Sequence, residues 1–209
     1  MKKFFILIIM IFFPVTISAD EFKIDFEKNL LKDVSFQNTD KTFNAIIEIP
    51  TGTNEKWEVN KNGKSLQREF KRGLPRTINY LSYPGNYGFI PQTLLSKENG
   101  GDGDALDVVI LGEKLKRGSV VKIEIVGMLS LKDKGLVDNK IIAVLAGSKF
   151  SNSISKLQNF KKKYPGALEI IEIWFKNYKG QKIETFGFLE KKIAKEFIIN
   201  ANTNFIKIK

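Results

Sequence analysis

Asp102-Gly103-Asp104-Ala105-Leu106-Asp107 runs without a break into Val108-Val109-Ile110-Leu111, and this stretch decides how the rest of the chain is read. Its second half is β-branched and apolar, the composition of a strand entering a core. Its first half packs three carboxylates into six positions, where each pair repels by roughly 3 kcal/mol at ~5 Å and an effective dielectric of ~20. Gly100, Gly101 and Gly103 allow the backbone to turn tightly around them. Two readings are open: a polar turn whose acids face water, or a loop that gathers its acids around a metal ion.

Outward from this strand the chain continues as short apolar runs separated by turn residues. Phe43 to Ile49 reads as a strand closed by Pro50 and Gly52, with Glu48 inside it, where an acid needs a partner. Lys56 to Val59 alternates polar and apolar, which puts Lys56 and Glu58 on one face. Asn62-Gly63 turns the chain into a return strand over Ser65 to Phe70. Pro75 and Arg76 lead into a segment of turn residues and aromatics holding Tyr80, Tyr83 and Tyr87. Beyond the acidic hexapeptide, Gly118 to Met128 and Ile141 to Ala146 read as strands, with a second acidic patch, Asp133 to Lys140, between them. A string of short strands and turns points to a closed or partly closed β-barrel.

The period then changes. Leu168, Ile171, Trp174, Phe175 and Tyr178 recur every three or four residues, so Pro165 to Lys179 is predicted helical. Ile193, Phe197 and Ala201 repeat the pattern over Glu190 to Ala201. One mainly β, α+β domain over residues 20–209 is the expectation.

Residues 1–19 are set apart from it. Lys2 and Lys3 precede the apolar run Phe4 to Phe13, and Ser18-Ala19 offers small residues for cleavage, the plan of a secretory signal peptide. The expected address is exported, periplasmic or secreted, with no membrane anchor after cleavage, and a cytoplasmic address is the alternative. The 209 residues include neither Cys nor His, which removes thiol chemistry, the usual zinc ligand and the usual general base. A net charge of +11 favours anionic partners, although runs such as Lys161-Lys162-Lys163 read as solvated surface.

The hexapeptide is not an EF-hand: Glu113 stands twelfth from Asp102, but Leu106 and Asp107 occupy the fifth and sixth positions, where an oxygen ligand and a Gly are required. Neither a phosphate-binding P-loop nor a G-x-S-x-G elbow is present. An oxygen-only donor set suits hard cations such as Mg²⁺ or Mn²⁺. With Lys56, Arg76, Lys140 and Lys179 embedded in patterned segments, the residues alone point to metal-assisted phosphoryl chemistry.

Six stretches sharpen this. Ile47-Glu48-Ile49-Pro50, Lys56-Trp57-Glu58, Tyr83-Pro84-Gly85-Asn86-Tyr87-Gly88, Asp102 to Asp107, Asp133 to Lys140 and Tyr178-Lys179 occur in an order and spacing that resembles the soluble family I inorganic pyrophosphatases. The resemblance implies an OB-like barrel of about five strands with flanking C-terminal helices. It implies Mg²⁺-dependent hydrolysis of inorganic diphosphate to two orthophosphates by a metal-activated water, with roughly three to four Mg²⁺ per site and Mn²⁺ as the alternative. Under it Asp102, Asp107, Asp133, Asp138 and Glu58 are metal ligands, and Asp104 is the general base. Lys56, Arg76, Tyr87, Lys140, Tyr178 and Lys179 bind the substrate, and Glu48 and Tyr83 complete the cleft. Arg76 is preferred over Arg68 and Arg72 because Gly73-Leu74-Pro75-Arg76 leads into the tyrosine loop. Ala105 departs from the Pro usual in the family, and Lys134 from its usual acid. The resemblance also implies a homo-oligomer, hexamer or dimer. A nucleic-acid-binding OB module is the rival, but it would interleave aromatics with cations on its strands, whereas the densest aromatics here precede the acids.

Overall fold

The computed structural model describes residues 19–151, 157–180 and 183–207. Apart from Ala19, the expected signal segment lies outside them. In chain order the strands are β1 (Lys23–Asp25), β2 (Phe43–Ile49), β3 (Trp57–Val59), β4 (Ser65–Arg68), β5 (Phe70–Lys71), β6 (Leu74–Pro75), β7 (Asn86–Phe89), β8 (Asp107–Leu111), β9 (Val120–Asp133), β10 (Leu136–Val137), β11 (Lys140–Leu145) and β12 (Glu184–Glu190). The helices are α1 (Leu157–Lys163), α2 (Ala167–Asn177) and α3 (Lys191–Lys207).

Five of these strands close on themselves. β2 pairs with β7, β7 with β8, β8 with β11, β11 with β9, and β9 returns to β2, with only the β8 and β11 pair parallel. The ring is the OB-like barrel expected of the sequence. The 14 residues of β9 make closure work: one end pairs with β2, the middle with β11, and the far end with β10 and β12. Closure also needs close approach, since a Cβ on Gly88 would lie 1.8 Å from the carbonyl oxygen of Ile46.

Alternate residues face two apolar cores, as a period of two requires. Ile46, Val109, Ile142 and Val144 join Leu168, Ile171, Trp174 and Phe175 of α2, while Ala45, Ile47, Val108, Ile110 and Ile141 join Ala194, Ile198 and Ala201 of α3. Barrel strands covered on both faces explain why β2 is buried at every position.

Several boundaries differ from the sequence expectations. β9 runs on to Asp133 because Leu129 and Leu131 remain buried. The return strand ends at Arg68, and β5 and β6 form a separate hairpin around Arg72 (φ 54) and Gly73 (φ 78). The tyrosine segment, read as turns, contains β7. Gly166 (φ 81) starts α2 two residues later than expected. In α3 the buried face is Ala194, Ile198 and Ala201: the expected Ala201 is buried and Phe197 packs partly on the core, while Ile193 is exposed and Ala194 and Ile198 are the contacts the pattern passed over. α1, β1 and β12 were not anticipated.

Candidate active site

The acidic hexapeptide enters the barrel through its backbone. The Leu95 N–H donates to the Asp104 carbonyl, the Gly103 N–H to the Leu95 carbonyl, and the Ile90 N–H to the Leu106 carbonyl. Gly103 takes φ 93, a left-handed value suited to Gly. The Asp104 N–H donates to Asp102 Oδ1 at 3.0 Å, an Asx turn that orients both acids. Asp107 then opens β8. Because Ile141 lies opposite Val108 in the parallel pair, Lys140 at the start of β11 meets Asp107.

The second acidic patch is a hairpin. Lys134 (φ 52) and Gly135 (φ 84) form its two-residue turn, with Asp133 opposite Leu136. The Asp138 N–H donates to the Leu131 carbonyl at 3.1 Å, which returns the chain to β11. Lys140 donates to both Asp107 and Asp138 although only 2% exposed. Lys179, just past the end of α2, pairs with Asp133.

Aromatic side chains form the wall behind these charges. Tyr83 packs on Tyr87 (5.3 Å between centroids) and Trp174 (4.5 Å), and Trp174 stacks on Tyr178 at 4.4 Å with an interplanar angle of 13°. Lys56 lies 5.3 Å from the Tyr87 ring, and Lys140 lies 5.9 Å from it and from that of Phe175. Burial, with Asp107 nearby, raises the Tyr87 phenol, and burial raises that of Tyr83, so both phenols stay protonated and able to donate.

The charges are mutually coupled. Burial pushes Glu48 up to about 8 against the pull of Lys56, and the Val59 N–H donates to its Oε1 at 2.6 Å. Burial opposes the Lys56 charge, but its acidic neighbours, Glu48 and Asp107 among them, outweigh it and raise the group. Asp104 reaches solvent, yet desolvation by the surrounding walls and the charges of Asp102 and Asp107 raise its carboxyl. Desolvation likewise raises Glu58, whose charged neighbours include Lys56, Asp104 and Arg76. Arg76 is engaged by Glu69, its Nη1 donating to both carboxylate oxygens at 2.8 and 2.6 Å. Every residue anticipated for the site therefore lies in this network of charges and rings.

The donor set fits a hard cation. All its candidates are carboxylates, and the buried Asp133 Oδ1 has no hydrogen-bond partner among the described residues. No group of three acids among the described residues is ready-made for a metal, and the ammonium groups of Lys140 and Lys179 stand beside Asp107, Asp138 and Asp133 as counterions. Residues that the sequence reading missed support the site from behind. Glu69 holds Arg76. Asn86, fully buried, accepts from the Thr51 and Leu115 N–H groups and donates to the Ile110 and Glu113 carbonyls. Asn86 belongs to the Tyr83 to Gly88 stretch, and a polar amide between two tyrosines in the chain was the available signal.

The sequence profile of the family described as inorganic pyrophosphatase matches residues 45–205, a span that contains every site residue above. The inorganic pyrophosphatase of Agrobacterium fabrum (strain C58) is 32% identical over 171 residues, 79% of this chain and 90% of that one. The mitochondrial inorganic pyrophosphatase of Saccharomyces cerevisiae is 32% identical over 173 residues, 73% of this chain and 56% of that one. The chain thus spans about half the length of that relative and of a Drosophila melanogaster inorganic pyrophosphatase. A crystal structure of type I inorganic pyrophosphatase from Toxoplasma gondii matches with a TM-score of 0.82 at 24% identity, covering 87% of this chain and 88% of that one, a likeness of fold. No helix among the described residues is long and apolar enough to cross a membrane. A profile that runs from β2 into α3, joined to a relative matched over 90% of its length, establishes that the chain belongs to the inorganic pyrophosphatase family.

Proposed function

We propose that this cleft hydrolyses inorganic diphosphate to two orthophosphates and that it does so with Mg²⁺, Mn²⁺ being the alternative hard cation. The observation that carries the reading is the alternation of acids and cations on one aromatic wall: the buried Lys140 against Asp107 and Asp138, and the half-buried Lys179 against Asp133. Asp102, Asp107, Asp133, Asp138 and Glu58 are the carboxylates that would hold divalent ions. When bound, those ions neutralise the diphosphate charge and acidify water.

This chain's own residues supply the rest. Lys56, Arg76, Lys140 and Lys179 place positive charge against the phosphate oxygens and against the charge that develops on the leaving phosphate. Tyr87 and Tyr178 offer phenolic O–H donors from a rigid stack, with Tyr83 packed behind. Asp104, its carboxyl raised above the ordinary aspartate range by desolvation and by Asp102 and Asp107, is suited to take the proton of the attacking water. Glu48 and Glu58 border Lys56 and limit where its ammonium can point.

Phosphate release from diphosphate, with Mg²⁺ and with a chelator, tests the reading. Release that depends on Mg²⁺ is expected, and a folded protein that releases none with either Mg²⁺ or Mn²⁺ would sink it. Two companion inferences have their own checks. Export, supported by Lys2, Lys3 and the apolar run Phe4 to Phe13, predicts an N-terminus near Asp20 in protein from its native host. Homo-oligomer formation, supported by apolar side chains as exposed as Leu74 (70%) and Leu81 (69%), predicts sedimentation well above the monomer mass.

A further inference from the structure

One network next to the cleft is used by no step above. In β3 and the two residues before it, Lys56 and Glu58 share one face and Glu55 and Trp57 the other, and the Trp57 Nε1–H donates to Glu55 Oε2 at 3.1 Å. Glu55 is also the shared counter-charge of two arginines: its Oε1 lies 3.0 Å from Arg68 Nη1 and its Oε2 lies 3.1 Å from Arg117 Nη2. The two side chains are only 7% and 19% exposed. Each arginine grips the backbone of a cleft residue. Arg68 Nη2 donates to the Arg76 carbonyl at 3.1 Å, and Arg117 Nε donates to the Glu48 carbonyl at 2.9 Å. The same Arg76 carbonyl accepts the Lys56 N–H at 3.1 Å, and Glu55 is bridged to Thr77. Arg117 further lies over the Trp57 ring at 4.2 Å.

We propose that Glu55 is a positioning residue: by neutralising Arg68 and Arg117 together it fixes the backbones of Arg76, Lys56 and Glu48 relative to one another, and so sets the spacing of the cations that grip diphosphate. The inference rests on the diphosphatase reading. A guanidinium stays charged when its partner is lost, so without Glu55 the two largely buried arginines repel and are drawn toward water. Each then slackens its hold on the carbonyl it anchors. Displacements of ~1 Å at such anchors suffice to weaken an electrostatic grip. Lys56 and Arg76 already grip the phosphate oxygens of bound substrate before reaction, and that ground-state grip is what a slackened backbone loses first, so the loss belongs chiefly in KM.

Glu55→Gln keeps the shape and removes the charge, and Glu55→Asp restores the charge at shorter reach. For both variants and the unaltered protein, steady-state hydrolysis of diphosphate and calorimetric affinity for methylenediphosphonate, each with Mg²⁺, are measured well below the melting temperature. Glu55→Gln is expected to raise KM and the analogue's Kd about tenfold, the lower end of what such outer partners cost, with kcat within about twofold, and Glu55→Asp to recover part of the loss. A folded Glu55→Gln protein with unchanged KM and Kd overturns the proposal, as does a fall in kcat alone. Should Glu55→Gln not fold, Arg117→Lys, which keeps the charge but loses the Nε donor, is expected to raise KM and Kd in the same way, and unchanged values overturn it. If the unaltered protein binds the analogue but hydrolyses no diphosphate, the diphosphatase reading fails while the Kd comparison still decides the role of Glu55.

Discussion

Lys140 concentrates the chemistry of the site in one side chain, an ammonium 2% exposed and held by Asp107 and Asp138. Asp107→Asn removes one of its two counter-charges and one carboxylate donor while preserving shape. Phosphate release is expected to fall by at least ~10²-fold with the circular dichroism spectrum retained, and an active variant would remove Asp107 from the metal-holding set. Glu48 makes a prediction about pH. Its carboxyl sits at about 8 in the folded protein against 4.5 ordinarily, so between those values the unfolded chain has lost a proton that the folded one keeps. Stability of the metal-free protein should therefore fall as pH rises through this window, by at most about 5 kcal/mol, and level off above it. Glu48→Gln should flatten the slope in denaturant midpoints taken with chelator, and an unchanged slope would show that another group causes it. At this scale the sequence displayed the charged residues openly because they interrupt apolar patterns, as Glu48 interrupts β2. It concealed their partners: nothing local pairs Arg76 with Glu69 or makes Glu55 the shared partner of Arg68 and Arg117.

Elements carry these side chains into place through register and phase. A Cβ at Gly88 would collide with the Ile46 carbonyl, so Gly88→Ala is expected to destabilise by at least ~3 kcal/mol, read in urea midpoints, through separation of β7 from β2. Trp174 anchors the C-terminal half of the wall. It is 2% exposed, touches Tyr83, Phe175 and Tyr178, and donates its Nε1–H to the Leu81 carbonyl at 2.7 Å. Trp174→Ala should cost about 3–5 kcal/mol and raise the KM for diphosphate, because Tyr178 and Lys179 continue directly from α2. Strand periodicity placed β2 and β8 well, since each is a short apolar run bounded by turn residues. Helical periodicity found Ala201 in α3 but passed over the buried Ala194 and Ile198 and put Ile193, which faces water, on the packed side. Close packing against a barrel favours a small residue such as Ala194 at a helix face, and a search for large apolar residues passes over it.

Across the whole molecule, closure of the barrel brings together acids that lie far apart in the chain. Metal binding to the folded state alone should then stabilise all of it. Mg²⁺ at a hundred times its dissociation constant adds ~2.7 kcal/mol, or roughly 5–10 °C in melting temperature for a domain of this size, read by scanning calorimetry with and without chelator. A melting temperature indifferent to divalent ions would contradict the proposed ligand role of the aspartates. By itself the sequence determined the donor chemistry, because a chain without His or Cys has only oxygen donors, carboxylates foremost, to offer a cation, and it determined a mainly β domain, because period-two runs and turn residues are local properties. Tertiary structure alone decided which acid meets which base. The parallel pairing of β8 with β11 sets Lys140 beside Asp107, the turn at Lys134-Gly135 carries Asp138 back to the same ammonium, and the end of α2 delivers Lys179 to Asp133. Those contacts depend on register between distant segments, which is fixed only when the strands pair and both cores are buried.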